Sequence, residues 1–285
     1  AVADAPAAVE ELLLSPGEEG AQEVEISWKN PALTMAGEPL SSLSSVGIYR
    51  NDTLIHTEEN ILPGSTSSYT DLAARSGFHV YKLIPYNEIG EGMWQSASSY
   101  VGRDVPGSPA SIQAEKQDQN TVVLSWDAPE AGLQGGWFDE SSLSYDILRM
   151  PDSTVLATGL KDQTFTDRNV TAYNRYVYHI QSVSSDGKGG VAQTESVLLG
   201  DALALPFFSS LETEESLSLW TLYDMDSSGQ SWQIGQSTGS RPGAESYADN
   251  SYQHPLDDWM VSPPLYIESG RDYLLSFHVR TAYYE

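Results

Sequence analysis

The chain has no cysteine in 285 residues, so neither a disulfide framework nor a thiolate metal site is available to it. Such a chain is compatible with the cytosol and equally with bacterial surface domains whose cores suffice. Basic residues are scarce. Fourteen Lys and Arg face forty Asp and Glu, a formal net charge of −26 and a pI near 4.2. A field of that sign repels phosphate backbones and anionic lipid, which sets nucleic acid and bare membrane surfaces aside as partners. Long apolar runs are missing too. The richest, from Val197 to Phe208, is broken by Gly200, Asp201 and Pro206, and nothing approaches the ~20 residues a bilayer crossing needs. The chain opens at Ala1 with neither an initiator Met nor a leader-like segment, as a processed chain or a fragment would.

What is present is aromatic and apolar. Seven Trp, sixteen Tyr and six Phe within an apolar fraction of 40% are enough to build packed cores, so most of the length is expected to be folded. The length allows two or three domains. Two readings of the acidity stay open: solubility in a crowded or salty exterior, and carboxylates gathered for divalent cations.

Period-two alternation dominates. Val24-Glu25-Ile26-Ser27-Trp28, Val122 to Trp126, and Tyr176 to Val183 each alternate apolar with polar, the pattern of strands packed on one face. Asn51-Asp52, Pro63-Gly64, Ser76-Gly77, Asp186-Gly187 and Gly189-Gly190 supply turns between such runs. Only Val9 to Leu14 hints at a helix, and that run is too short to stand alone. The landmarks recur. Trp28, Arg50, Asp71 and Leu83 return as Trp126, Arg149, Asp167 and Ile180, at offsets of 98, 99, 96 and 97 residues. A spacing kept within three residues indicates a duplicated domain, and several short strands per ~100 residues describe an antiparallel sandwich.

With those residues in view, both copies resemble fibronectin type III domains. The likeness rests on the early Trp, the central strand ending in Arg, the corners Tyr69-Thr70-Asp71 and Phe165-Thr166-Asp167, and the strand Tyr176, Tyr178, Ile180. The loop Asn87-Glu88-Ile89-Gly90-Glu91-Gly92 belongs to the same pattern. His79 stands where the second copy has Tyr176, so a tyrosine corner in the second copy would have to be closed differently in the first. Fold is what this resemblance implies; the sandwich hosts many roles.

After Leu205 the character changes. Trp220-Thr221, then Asp224-Met225-Asp226-Ser227-Ser228-Gly229-Gln230-Ser231-Trp232, then Asp257-Asp258-Trp259-Met260-Val261-Ser262-Pro263-Pro264, then Gly270-Arg271-Asp272-Tyr273-Leu274-Leu275-Ser276-Phe277 resemble a cleaved-adhesin or choice-of-anchor-J jelly roll. Such modules occur in surface and secreted proteins of Bacteroidetes, including gingipain adhesin regions. About five strands can be placed here against ~8 in a jelly roll. Because Tyr273 to Val279 reads as a strand without its partners, continuation past Glu285 is expected.

The fold class expected is therefore all-β: two fibronectin type III sandwiches in tandem (1–104 and 105–202) and a partial jelly roll (203–285). The linkers Gly102 to Pro109 and Gly200 to Pro206 are short, which predicts stiff connections.

Few residues carry chemistry. Asp224, Asp226 and Ser228 open like a calcium loop, but position twelve is Gly235 rather than Glu and no helix flanks it, so it fails as an EF-hand. A β-loop site completed by a distant carboxylate, from Asp258, the adjacent Asp257 or the remote Glu212, is the candidate, with calcium in a structural role. A solvated Asp/Ser turn is the alternative. Gly235-Gln236-Ser237-Thr238-Gly239 matches a nucleophile-elbow pattern without the strand-to-helix setting it needs. The five His lack metal-site spacing, no triad stands out, and adjacent acidic pairs are not a glycosidase pair. Trp232, Trp259 and Tyr252 are read either as a sugar platform or, with Trp220, as core filling. Trp137 and Phe138, after Gly135-Gly136, are candidate ligand contacts, with core capping as the other reading. Asn51-Asp52-Thr53 and Asn169-Val170-Thr171 fit the glycosylation pattern, although a hairpin turn also explains Asn51. No Arg-Gly-Asp occurs.

The functional expectation is a non-catalytic extracellular protein, secreted or on a bacterial cell surface, that adheres to or presents a module to a surface protein or glycan. The alternative is an accessory region of a larger secreted hydrolase, such as a protease or glycosidase.

Overall fold

The structure is a computed structural model, and it describes residues 3–72, 74–227, 232–235, 245–247 and 257–277. Eight strands occupy the first hundred residues: β1 (Glu10–Pro16), β2 (Val24–Lys29), β3 (Ser45–Arg50), β4 (Thr53–Glu59), β5 (Thr66–Asp71), β6 (Gly77–Asn87), β7 (Gly90–Glu91) and β8 (Gln95–Val101). They form two sheets, one ordered β1-β2-β5 and one ordered β4-β3-β6-β7, with β8 also on β6. The next hundred residues repeat the scheme with β9 (Ala110–Lys116), β10 (Val122–Asp127), β11 (Ser144–Met150), β12 (Thr154–Leu160), β13 (Thr164–Asp167), β14 (Asn174–Ser184), β15 (Gly187–Gln193) and β16 (Val197–Leu199). Here the orders are β13-β10-β9 and β12-β11-β14-β15, with β16 on β14. The strand order and the alternation inside it are those of two fibronectin type III-like sandwiches in tandem.

The alternation read from sequence is what buries the core. On β2, Val24, Ile26 and Trp28 are buried while Glu25 is exposed, and they meet Val46, Ile48, Tyr81 and Leu83 from the facing sheet. Each such aliphatic side chain removed from water contributes about 1.5–3 kcal/mol. Trp28 directs its indole N–H to Asn30 Oδ1 at 2.8 Å, and Asn30 in turn donates to Ser65 and Ser67, so the buried polar atoms are satisfied. In the second copy Trp126 sets its edge against Tyr145, ring centroids 5.2 Å apart.

Val9 to Leu14, the one helical hint, belongs mostly to β1. Leu13 and Leu14 pair with Ser27 and Ile26, and cross-strand hydrogen bonds win over a short helix that nothing would nucleate. Asn51 and Asp52 both take positive φ (48° and 65°) in the two-residue β3–β4 hairpin, the conformation that turn demands.

The two copies close the same corner with different chemistry. Tyr176 donates its hydroxyl proton to the Ala172 carbonyl at 2.7 Å, four residues upstream. His79 holds the Arg75 carbonyl through Nε2 at 2.7 Å, also four residues upstream, while its Nδ1 meets the Asn51 amide at 3.0 Å. With Nε2 as the donor, Nδ1 accepts from Asn51, and the Val80 N–H fixes that amide by donating to Asn51 Oδ1.

After Leu205 the elements are short: α1 (Glu214–Ser218), β17 (Thr221–Asp224), β18 (Gln233–Gly235), β19 (Glu245–Tyr247) and β20 (Asp258–Val261). β17 pairs with β20 and β18 with β19, each antiparallel. The described part of the expected last strand, residues 273–277, is not a strand: no described neighbour completes its ladder, and Leu274 is 94% exposed. By contact density the chain divides into two compact units, Ala1–Ala114 with Leu124–Phe165 and Val177–Glu195, and Glu115–Val123 with Thr166–Tyr176 and Ser196–Glu285. No described helix is long and apolar enough to cross a membrane, which says nothing of a β-barrel.

Candidate functional site

The acidic cluster proposed from sequence is partly assembled by strand pairing. β17 and β20 set Asp224 opposite Asp258, and Asp226 follows Asp224 by two residues in the bend beyond the strand end. Carboxylate oxygens of Asp224, Asp226 and Asp258 all lie within 4.8 Å of one another, and the three side chains are half-buried. The Met225 N–H donates to the Asp257 carbonyl at 3.0 Å, and the Asp257 N–H donates to Asp226 Oδ2 at 3.4 Å, tying the turn to the neighbouring strand. Three convergent hard oxygen donors suit calcium or another divalent cation. Ser228 lies outside the described residues, as do Gln236 to Gly239 of the elbow-like pattern, Tyr252, His254 and His278.

The aromatic residues of this region divide. Trp220 and Trp232 are half-buried, their indole N–H groups bonded to Ser209 Oγ and the Asp258 carbonyl, each at 3.1 Å. Trp259, expected with them in the core, is 58% exposed. On β20 the half-buried positions are Asp258 and Met260, and the alternation turns Trp259 and Val261 outward.

Trp137 and Phe138 belong to a different construction. Phe138 is 3% exposed and fills core, which leaves it no surface to offer a partner. Trp137 is half-buried, with the Arg103 guanidinium 4.9 Å above its ring. Arg103 also grips Asp186 with two hydrogen bonds, at 2.6 and 3.1 Å. The next residue, Asp104, is buried, and its carboxylate accepts three backbone N–H groups: Val105 at 2.8 Å, Gln134 at 2.7 Å and Gly136 at 3.1 Å. A Cβ on Gly132 would run into that carboxylate, and one on Gly136 into the Tyr100 ring, which explains the glycines of this loop. The loop that reads as an aromatic contact tip is thus folded around the linker of the first compact unit.

A second arginine acts within the other compact unit. Arg175 donates from Nε to the Ser218 carbonyl at 2.5 Å and from Nη2 to the Trp220 carbonyl at 3.2 Å, while Tyr173 reaches the Leu219 carbonyl at 3.4 Å. These are carbonyls at the C-terminal end of α1, which the helix cannot satisfy itself. Sequence reasoning missed Arg103, Asp104, Asp186 and Arg175. The available signal was the adjacent opposite charges inside a linker otherwise made of Gly, Val, Pro and Ser.

No family model matches the chain. Human neural cell adhesion molecule L1 is 25% identical over 142 residues, 47% of this chain and 11% of its own length. The mouse protein is 26% identical over 145 residues, 48% of this chain and again 11% of its own. The chain spans about a tenth of the length of these curated relatives. Among solved structures, the chicken CNTN1 FN1–FN3 domains share 15% identity with a TM-score of 0.30, covering 69% of this chain and 68% of that one. A segment of two fibronectin type III domains from chicken tenascin shares 14% with a TM-score of 0.28, covering 68% of this chain and 99% of that one.

The Arg103 pairing holds the Asp186 carboxyl below the usual carboxylate range, its hydrogen bonds outweighing the cost of burial. A depressed folded value means that the stabilisation is complete above about pH 4 and drains as pH falls through the lower folded value. Denaturant unfolding at stepped pH should therefore show Asp186→Asn less stable than native at neutral pH, with the gap closing below about pH 4. Parallel curves at all pH values would remove this role.

Proposed function

We propose that this chain is a non-catalytic adhesion or presentation segment of a secreted or cell-surface protein, with fibronectin type III modules at 1–104 and 105–202 and part of an adhesin-type jelly roll at 203–285. The observation that carries this reading is the use the chain makes of its charged groups. Arg103, Asp104 and Arg175 are spent on fixing linkers and loops, the work of a protein that holds modules in place. Similarity to a stretch of neural cell adhesion molecule L1 supports the same class. The partner is a surface protein or glycan.

Beads coated with the full chain should adhere to cell or matrix layers more than albumin-coated beads, and soluble chain should compete. Failure to adhere, together with turnover of a generic peptide, ester or glycoside substrate, would replace this reading with an enzymatic one. Adhesion only to polysaccharide or protein substrates of a hydrolase encoded in the same natural chain would favour an accessory region.

The Asp224, Asp226 and Asp258 cluster supports a structural calcium within this reading, with affinity of about 10⁻⁴ to 10⁻³ M as in extracellular modules. At ten times its Kd, calcium would add about 1.4 kcal/mol to the C-terminal part. EGTA should lower its melting temperature by a few degrees, and Asp226→Ala should abolish the response. An unchanged melting curve on chelation of the native chain removes the metal.

A further inference from the structure

The outer face of the first sandwich holds a groove of about 560 Å³ lined by Asn51, Asp52, Val80, Lys82, Trp94 and Ser96. That volume is in the range of small-ligand sites. β6 and β8 build it, setting Lys82 opposite Ser96, with Trp94 immediately before β8 and the β3–β4 hairpin turn as one wall.

These residues are not needed by the core. Trp94 is 56% exposed and Val80 44%, whereas the alternate positions Tyr81 and Leu83 are fully buried. The duplicated sandwich is an internal control. Ninety-seven residues on, the same strand pair places His179 opposite Gln193, and Trp94 is matched by Val191. The same fold forms there without the tryptophan, the lysine or the serine. The fold therefore does not require an indole at this position, and its exposed half is open to a ligand.

One wall of the groove is braced in advance. Asn51 is fixed at both ends of its amide, by the Val80 N–H at 2.9 Å and by His79 at 3.0 Å. Lys82 Nζ is held by Asp52 Oδ1 at 2.7 Å and lies 5.5 Å from the Tyr49 ring centroid. Side chains ordered before binding lose little entropy when a ligand arrives.

We propose that this groove binds a neutral saccharide, with Trp94 stacked on the apolar face of one ring and Asp52, Lys82 and Ser96 bonding its hydroxyls. A sugar ring presents C–H groups on its face and hydroxyls at its edge, which is the match to an indole flanked by a carboxylate, an ammonium and a hydroxyl. An anionic ligand fits poorly, because Asp52 already neutralises Lys82 and the chain carries −26. A purely apolar ligand would strip water from polar walls without replacing its hydrogen bonds. The site owes nothing to the calcium cluster or to the adhesion reading.

The test is binding of the full chain to immobilised cellotetraose, chitotetraose, mannotetraose and galactotetraose, with sulfated and sialylated glycans alongside. The retained sugar is then titrated into native, Trp94→Ala and Asp52→Asn chains and followed by NMR at the tryptophan indoles. At least one neutral oligosaccharide should bind native chain and shift the Trp94 indole signal. Trp94→Ala should weaken that binding by about tenfold or more while the chain still unfolds cooperatively from a native-like state, since the second sandwich folds without an indole there. Asp52→Asn should weaken it less. Retention of none of the neutral sugars, native affinity in Trp94→Ala, preference for the anionic glycans, or shifts at Trp259 in place of Trp94 would each overturn the assignment.

Discussion

One buried carboxylate decides how the first compact unit is put together. Asp104 sits in the linker at 4% exposure, and three backbone N–H groups replace the water that its charge has lost. Two of the three come from the loop around residue 135, so that loop cannot swing away without leaving an unsolvated charge behind. Arg103, the residue before it, binds Asp186 and lies over Trp137. Adjacent residues of opposite charge thus fasten one short linker on two sides, and the glycines of the loop are where the backbone must come close.

The two sandwiches show how far chemistry drifts while a fold holds. Both bury a tryptophan on the second strand and an aspartate at the corner, since a buried side chain is constrained from every direction. In the first copy Asp71 is met by Arg50 at 2.7 Å and by the Tyr81 hydroxyl at 2.9 Å, and burial together with that carboxylate raises the Tyr81 pKa. On the outer faces nothing enforces a match. There the copies part: a tryptophan-walled groove on one, Val191 and His179 on the other.

The sandwiches were legible because strand alternation is a local signal that duplication doubles. Trp28 with Ile26 and Trp126 with Leu124 announce a buried face in five residues each, and Asn51-Asp52 announces its turn. The corner at His79 was visible as a substitution, but only the folded chain shows that an imidazole reaches the same i−4 carbonyl as a phenol. Joints and groove were not legible. Arg103 and Asp186 are 83 residues apart, and Trp94 and Asp52 meet only once β3, β6 and β8 are in register. After Leu205 the alternation continues in sequence, yet exposed Leu274 shows that pattern alone does not bury a segment with no described strand beside it, and Trp259 shows that alternation does not say which face is covered.

Asp104 and Arg103 make the linker in the first compact unit a fixed joint. Residual dipolar couplings of backbone N–H vectors, measured on the full chain for β2, β3 and β6 and for β11 and β15, test it directly. A fixed joint predicts that one alignment tensor fits both sets of strands. Two tensors of different magnitude or orientation in the native chain would mean that Asp104 and Arg103 do not hold it.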